Sequence, residues 1–436
     1  MESNEVKIVK KSPLKLGATI LVLGLCWSLV YVIPFAQYTW YDPLREYLGG
    51  SNFQMSLLLT IYGFGNVFLA PIGGWISDRF NYKWMYVGSV ALNGVLSLIF
   101  ALVPGYGIAV ILWIGFAVSS LLMNYPTHIK IVRDLATDEN QGKIFGINET
   151  CIGVGNILLT ALMNIGFIKF GEGVAGIKGI GFVDAILAVI LTILIAILLD
   201  DPKKTGMINV NKTAADEKAN FGRDFVKVAK HPETWFYALT IFSVYAYMSS
   251  MSYFTAYFTQ VLGLTVVFSA WMAIIRQFGM QLVGSPIGGF IADKIKSPSK
   301  VILLSYIIGL IAYGLLLFKK TGWSLSGILF LVMFMSTFVY MSRGCYYSTL
   351  REVGVPRSVS ATTAGIGAMI GFSPDIFQFA MFGWWLDTHT PEEAYRMIFI
   401  YQIIVLCIGI FAAFMIMHYA KKHGTVRGGT YDHPMV

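Results

Sequence analysis

Pro71-Ile72-Gly73-Gly74-Trp75-Ile76-Ser77-Asp78-Arg79-Phe80-Asn81-Tyr82-Lys83 is answered 215 residues later by Pro286-Ile287-Gly288-Gly289-Phe290-Ile291-Ala292-Asp293-Lys294. In each copy an apolar run ends in two glycines, an aspartate follows with a base behind it, and a further base arrives within a few residues, Lys83 in one and Lys296 in the other. Such a stretch reads as the end of a membrane helix entering a short turn. Its recurrence makes the chain two copies of one unit. A second echo agrees: Ile131-Val132-Arg133-Asp134 returns as Thr349-Leu350-Arg351-Glu352, an offset of 218. Parallel repeats of this kind are a recognised transporter architecture, with the site expected where the repeats meet near the membrane midplane.

The 436 residues are 56% hydrophobic and only 13% charged, with a mean hydropathy of +0.66. A soluble fold has nowhere to hide that much apolar surface, so lipid is the solvent for part of the chain. Twelve apolar runs reach the ~20 residues that cross a ~30 Å hydrocarbon core: 14–36, 53–77, 82–104, 107–133, 143–168, 179–199, 234–261, 266–291, 300–318, 322–350, 358–384 and 395–420. The fold class expected is an all-α membrane protein, twelve transmembrane helices in two pseudo-symmetric six-helix bundles. The bundles are 14–199 and 234–420, with tails at 1–13 and 421–436 and a polar linker at 200–233. The first run is too long for the apolar region of a cleaved leader and reads as a retained helix. Phe221, Phe225 and Val226 among the linker's bases suggest an amphipathic piece lying on the membrane surface. Cys26, Cys151, Cys345 and Cys407 all fall inside runs, which argues for packing residues and against a disulfide framework or zinc site.

A net charge of +8 invites a nucleic-acid reading, but its distribution supplies a better one. With both termini in the cytoplasm, 24 of the 32 lysines and arginines lie on that side and six on the other. That asymmetry is the positive-inside rule, and an even number of crossings agrees with it.

The polar residues inside the runs carry the functional argument. A charged side chain near the bilayer centre costs from ~3 to more than ~10 kcal/mol, so such residues face the protein interior and mark a pathway. Arg276 and Arg343 are the foremost candidates, because a guanidinium fork suits an anionic group bidentately. Asp375, after a proline in Gly371-Phe372-Ser373-Pro374-Asp375, and Glu149, about two turns inside its run, are candidates to take up and release a proton. The competing reading locks each arginine to one of these acids. Tyr31, Gln277 and one or both of Tyr245 and Tyr247 are expected to line a cavity. In the seventh run Tyr245, Ser249, Ser252 and Tyr253 share one helical face, and Tyr247, Ser250 and Tyr257 lie nearer the other. Trp40 and Tyr41 read as an aromatic belt at the membrane interface. His128 reads as a hydrogen-bonded packing residue, Pro126 as a kink, and Gly153 and Gly155 as a point of close helix approach.

No Gly-x4-Gly-Lys-Ser/Thr occurs, so ATP is not the direct energy source. The chain also lacks His-Glu-x-x-His and Gly-x-Ser-x-Gly, and no enzyme chemistry is expected of it. No cofactor or metal is implied.

The double signature resembles motif A of the major facilitator superfamily, Gly-x3-Asp-Arg-x-Gly-x-Arg/Lys, here Gly74, Asp78, Arg79, Asn81 and Lys83, with a weaker second copy in Gly289, Asp293 and Lys294. The departure at Asn81 falls where the family prefers glycine, and asparagine is the next residue to tolerate a left-handed turn. The resemblance implies that Asp78 meets Arg133 and the start of helix 11, that Asp293 meets Arg351 and the start of helix 5, and that these contacts bias a gate. Gln141-Gly142-Lys143-Ile144-Phe145-Gly146 and the Gly-Phe-Ser-Pro-Asp of helix 11 look like a bacterial group of organic-anion carriers, distantly similar to organophosphate and oxalate exchangers.

The expectation is a multi-pass plasma (cell inner) membrane transporter moving a small organic anion by alternating access, with protons as coupling ion. Its partners would be the anionic solute and the lipid bilayer, without nucleic acid, and it would act as a monomer. The alternatives are an anion/anion antiporter of organophosphate or dicarboxylate type, and a receptor or scaffold without flux.

Overall fold

In hydrocarbon an unpaired peptide group costs several kcal/mol, so an apolar run must close its hydrogen bonds within itself and becomes a helix. The computed structural model describes residues 13–79, 81–135, 141–201, 229–318, 323–353 and 360–422, and contains helices and no strand among them. Twelve long elements follow in order: α1 (Pro13–Val32), α2 (Asn52–Arg79), α3 (Tyr82–Leu102), α4 (106–135), α5 (Gln141–Lys169), α6 (Gly173–Leu198), α7 (232–260), α8 (266–295), α9 (Pro298–Leu317), α10 (325–352), α11 (360–388) and α12 (Pro391–Lys422). Nine are apolar and long enough to cross a membrane by length and composition. Of the other three, α2, α7 and α11, the seventh is diluted by tyrosines and serines and the eleventh is interrupted. The chain is an all-α membrane protein, and its twelve elements match the twelve runs.

The elements divide into two compact units, residues 1–211 with 265–274, and 212–264 with 275–436. The first ten residues of the eighth element therefore group with the first unit. The 200–233 linker falls mostly at 202–228, outside the described residues, and so does its expected surface piece.

Glycine sets the closest crossings. A Cβ on Gly73 would stand 2.1 Å from the carbonyl oxygen of Leu122 on α4, and one on Gly288 would stand 2.1 Å from the carbonyl oxygen of Met341 on α10. The first glycine of each signature is thus the point where α2 crosses α4 and where α8 crosses α10. Leu122 lies four residues before Pro126, the carbonyl a proline leaves without an intrahelical donor. Backbone of Gly73 covers it. Gly155 plays a similar part, its added Cβ falling 2.6 Å from Ser28 Oγ on α1.

The turns after α2 and α8 are built differently from one another. Asn81 is extended at φ −68°, and its side chain accepts from the Lys83 backbone N–H at 3.0 Å as the N-cap of α3. The left-handed position expected there is found only in the second copy, at Lys296 with φ 51°. Capping, which asparagine does well, replaces the turn that a glycine would make. Trp40 and Tyr41 correct the aromatic-belt reading: both are buried, with the Trp40 indole donating to Asn164 Oδ1 at 2.8 Å and the Tyr41 hydroxyl to Asn52 Oδ1 at 2.9 Å. A polar tip that finds a protein acceptor has no need of the interface. Tyr41 opens a short helix, Tyr41–Leu48, that links α1 to α2.

Candidate functional site

Four elements around the seventh helix depart from regular α-geometry, and the polar residues gather at those departures. α7 passes through a 3₁₀ turn at Met251–Tyr253 between Pro232–Ser250 and Phe254–Gln260. α8 holds a π-turn at Ile275–Gly279, α10 a 3₁₀ turn at Tyr346–Ser348, and α11 breaks between Ser360–Gly371 and Pro374–Thr388. Such interruptions free backbone groups and concentrate at functional sites.

Arg276 stands in the π-turn of α8 and is only 1% exposed. Its Nη1 donates to the Met251 carbonyl at the α7 interruption, and its Nη2 donates to Thr255 Oγ1 at 3.2 Å. The fork expected to greet a solute is thus largely spent on α7, and its Nε is buried without a partner. Gln277, beside it, is half-buried.

Arg343 is in the last turn before the α10 interruption and is half-buried. Its one hydrogen bond among the described residues goes from Nη1 to the thioether of Met248 at 2.9 Å, a weak acceptor that carries no charge. Among the described residues no carboxylate lies within 4.0 Å of either guanidinium, so the reading that locks them to Asp375 or Glu149 does not describe this arrangement. The groups around Arg343 are tyrosines: Tyr245, Tyr340, Tyr346 and Tyr347. Tyr340, one helical turn before Arg343, is within electrostatic reach of both Arg343 and Arg276, and so joins the two charges.

Asp375 opens the second segment of α11, with Pro374 as the first residue, and is 8% exposed. Its Oδ2 accepts from the Tyr245 hydroxyl at 2.7 Å. Tyr245 thereby touches the acid on one side and lies near Arg343 on the other. Helical spacing had put Tyr245, Ser249 and Tyr253 on one face, and that face meets α11: Gln378 Nε2 donates to Ser249 Oγ at 3.1 Å, and the Tyr253 hydroxyl to the Phe379 carbonyl at 3.2 Å. The other face divides: Tyr257 packs on Tyr395 and Phe399 of α12, while Tyr247 and Ser250 meet α9. Tyr247 is fully buried there against Gly309 and the ring of Tyr313, and Ser250 Oγ lies 3.0 Å from the Tyr313 hydroxyl. Tyr247 is therefore a packing residue, with close contact at Gly309 in place of a cavity.

In the first unit Tyr31 belongs to an aromatic group with Trp27 at 5.3 Å, Phe35 at 6.3 Å and Tyr62 at 6.4 Å between ring centroids. It is half-buried, and its hydroxyl makes no hydrogen bond among the described residues. His128 is buried between Tyr86, whose hydroxyl is 3.0 Å from Nδ1, and Asn148, whose Oδ1 is 3.1 Å from Nε2, as a satisfied packing histidine would be. Glu149, the next residue along α5, is exposed.

The backbone of Gly74, Asp78 and Arg79 closes α2, but their side chains, like those of Arg133 and Arg351, lie outside the described residues. Lys83 lies over the Trp84 ring at 5.4 Å, and Lys130 donates to the Ser77 carbonyl at 2.9 Å, supporting the end of α2. In the second copy Gly289 lies inside α8 and Asp293 and Lys294 are exposed in its last turn. The acids following Arg133 and Arg351 do related work. Asp134 lies within electrostatic reach of Tyr82 at the start of α3, and Glu352 accepts from Ser297 Oγ at 2.5 Å, Ser299 Oγ at 2.7 Å and the Ser299 backbone N–H at 2.9 Å at the start of α9. Sequence reasoning missed Tyr340, Thr255 and this Glu352 cap. Tyr340-x-x-Arg343, an (i, i+3) pair, was the available signal for the first.

Comparison with known proteins now decides the family. The Major Facilitator Superfamily model matches residues 16–377. The chain belongs to the major facilitator superfamily. It is 27% identical over 403 residues to the Escherichia coli inner membrane protein YqcE, covering 91% of this chain and 94% of that protein. Against the Bacillus subtilis glycerol-3-phosphate transporter it is 21% identical over 294 residues, covering 63% and 65%. The crystal structure of a bacterial homologue of the human lysosomal transporter Spinster superposes with a TM-score of 0.72 at 15% identity, covering 96% of this chain and all of the other. As a superfamily member the chain is a multi-pass membrane transporter working by alternating access, and not an enzyme.

Proposed function

We propose that this carrier moves a small organic anion, that Arg343 binds the anionic group, and that Asp375 couples a proton to the movement. The observation that carries the reading is the Arg343 guanidinium: it is half-buried, one of its nitrogens faces a neutral thioether, and no described carboxylate balances it. An uncompensated cation at membrane depth is costly, and a solute that brings the missing charge relieves that cost. Arg276 on α8 contributes its positive charge from a position fixed by its bonds to α7, and Gln277 and Tyr31 are further candidates to line the path. The name of the glycerol-3-phosphate transporter relative points the same way.

Tyr245 is the element that ties acid to arginine. Its hydroxyl donates to Asp375 Oδ2, which fits an ionised carboxylate, and protonation of that carboxyl weakens the pull on the hydroxyl. Beside Asp375 stands Tyr245 on α7, which lies near Arg343 on α10, and three residues further along α11 Gln378 accepts from the Tyr401 hydroxyl of α12 at 3.4 Å. The motif A residues Gly74, Asp78, Arg79, Lys83, Gly289, Asp293 and Lys294, with Arg133 and Arg351, are proposed to bias the gate.

Uptake into proteoliposomes tests the reading. Arg343→Ala is expected to abolish anion uptake while the protein inserts and purifies normally, and normal uptake by that variant would remove Arg343 from the site.

A further inference from the structure

Beside the two arginines of the second unit, one tyrosine hydroxyl has no hydrogen-bond partner among the described residues. Tyr340 is 4% exposed, yet its hydroxyl makes no hydrogen bond with any described residue, whereas the neighbouring Tyr313 and Tyr395 hydroxyls are 3.0 Å from Ser250 Oγ and 2.9 Å from the Tyr253 carbonyl. It is also the residue within reach of both guanidiniums. A phenol between two cations finds no acceptor in either of them, because guanidinium groups only donate. The hydroxyl oxygens of Tyr237 and Tyr247 are sealed in without a partner, whereas that of Tyr340 is not, so an acceptor from outside the chain can reach it.

We infer that Tyr340 is a substrate ligand acting with Arg343, and that together they select a tetrahedral oxyanion head group, phosphoryl or sulfonyl, over a carboxylate. The inference rests on the anion reading above and narrows it. The Arg343 Nε and Nη2 have no hydrogen-bond partner among the described residues, and a guanidinium edge engages two oxygens side by side. A carboxylate presents only those two, whereas a phosphoryl or sulfonyl group presents at least three. Tyr340 sits one turn back on the same helix, an (i, i+3) neighbour of Arg343, and supplies a further donor. A third donor has an oxygen of its own on a tetrahedral head group and must share one on a carboxylate. Arg276 adds a second positive charge nearby, fixed by its bonds to Met251 and Thr255, which favours the head group carrying the greater negative charge.

Inorganic sulfate and acetate probe the head-group preference directly on the purified full-length chain, by the rise of its melting midpoint at matched ionic strength. Wild type should bind sulfate more tightly than acetate. Tyr340→Phe, which removes only the partnerless hydroxyl, should melt like wild type without anion, bind sulfate about tenfold more weakly, as one charge-assisted hydrogen bond implies, and bind acetate unchanged. Arg343→Ala should lose both responses. An unchanged sulfate preference in Tyr340→Phe, equal or absent responses in wild type, or a lower melting midpoint of Tyr340→Phe without anion, which would reveal a protein partner, each overturn the role of Tyr340. Retention of both responses in Arg343→Ala overturns the anion reading itself.

Discussion

Glu352 illustrates how one side chain can hold two helices. It is buried, and it offers both carboxylate oxygens to the first turn of α9, where backbone N–H groups lack intrahelical acceptors and the helix dipole favours negative charge. Ser297 and Ser299 supply hydroxyls that would otherwise be buried donors. Truncation to alanine leaves these groups without their acceptor, at a cost of about 1–3 kcal/mol, to which the lost charge at the helix N-terminus adds about 0.3–1 kcal/mol. Glu352→Ala should therefore lower the melting midpoint of the purified protein clearly, and Glu352→Gln, which keeps one acceptor oxygen, should lower it less. Equal melting of all three proteins would show that water replaces the carboxylate there. Arg276 is the companion case for an arginine: its position inside a run was readable as a buried charge, but its partners, a carbonyl released by a 3₁₀ turn and a threonine hydroxyl, depend on an irregularity that no residue pattern announces.

At the scale of elements, the two signature glycines make a matched experiment. Gly73 and Gly288 each face a helical carbonyl oxygen that a Cβ would approach to 2.1 Å, and neither backbone can yield without moving a whole helix. Overpacking of this kind costs about 1–3 kcal/mol, so Gly73→Ala and Gly288→Ala should both lower the melting midpoint. Gly314 in α9 has nothing within 4 Å, and Gly314→Ala should be neutral or slightly stabilising because alanine is the better helix former. A loss at Gly314 equal to that at the signatures would mean that helix crossing is not what these glycines serve. The twelve elements were legible because apolar length and charge spacing state them openly, and the two faces of α7 were legible because 3.6-residue spacing sorts tyrosines and serines without any knowledge of partners. The breaks were not. The interruption of α10 at Tyr346–Ser348 puts Arg343 in a last turn where apolar length had put it well inside, and the extended backbone of Asn81 came from a capping bond that competes with the expected left-handed turn.

At the scale of the whole molecule, a carrier that accumulates its solute must let the driving ion change which state is favoured, and it can shift that balance only through groups whose contacts differ with the ion bound. Asp375 is placed for this. It stands at the break in α11 with its oxygen on the Tyr245 hydroxyl, and Tyr245 belongs to the group around Arg343, so gain of a proton would alter a contact one residue away from the arginine proposed to bind the anion. Asparagine at this position keeps an oxygen for Tyr245 but never changes charge. Asp375→Asn should therefore continue to exchange internal for external anion, while losing uphill uptake when a pH gradient is imposed on proteoliposomes. If accumulation driven by the gradient persists in Asp375→Asn, the proton travels by another acid. Exchange and accumulation lost together would instead make Asp375 part of anion binding. Exchange retained with accumulation lost separates the two roles, because only coupling, and not passage of the solute, requires a group that titrates.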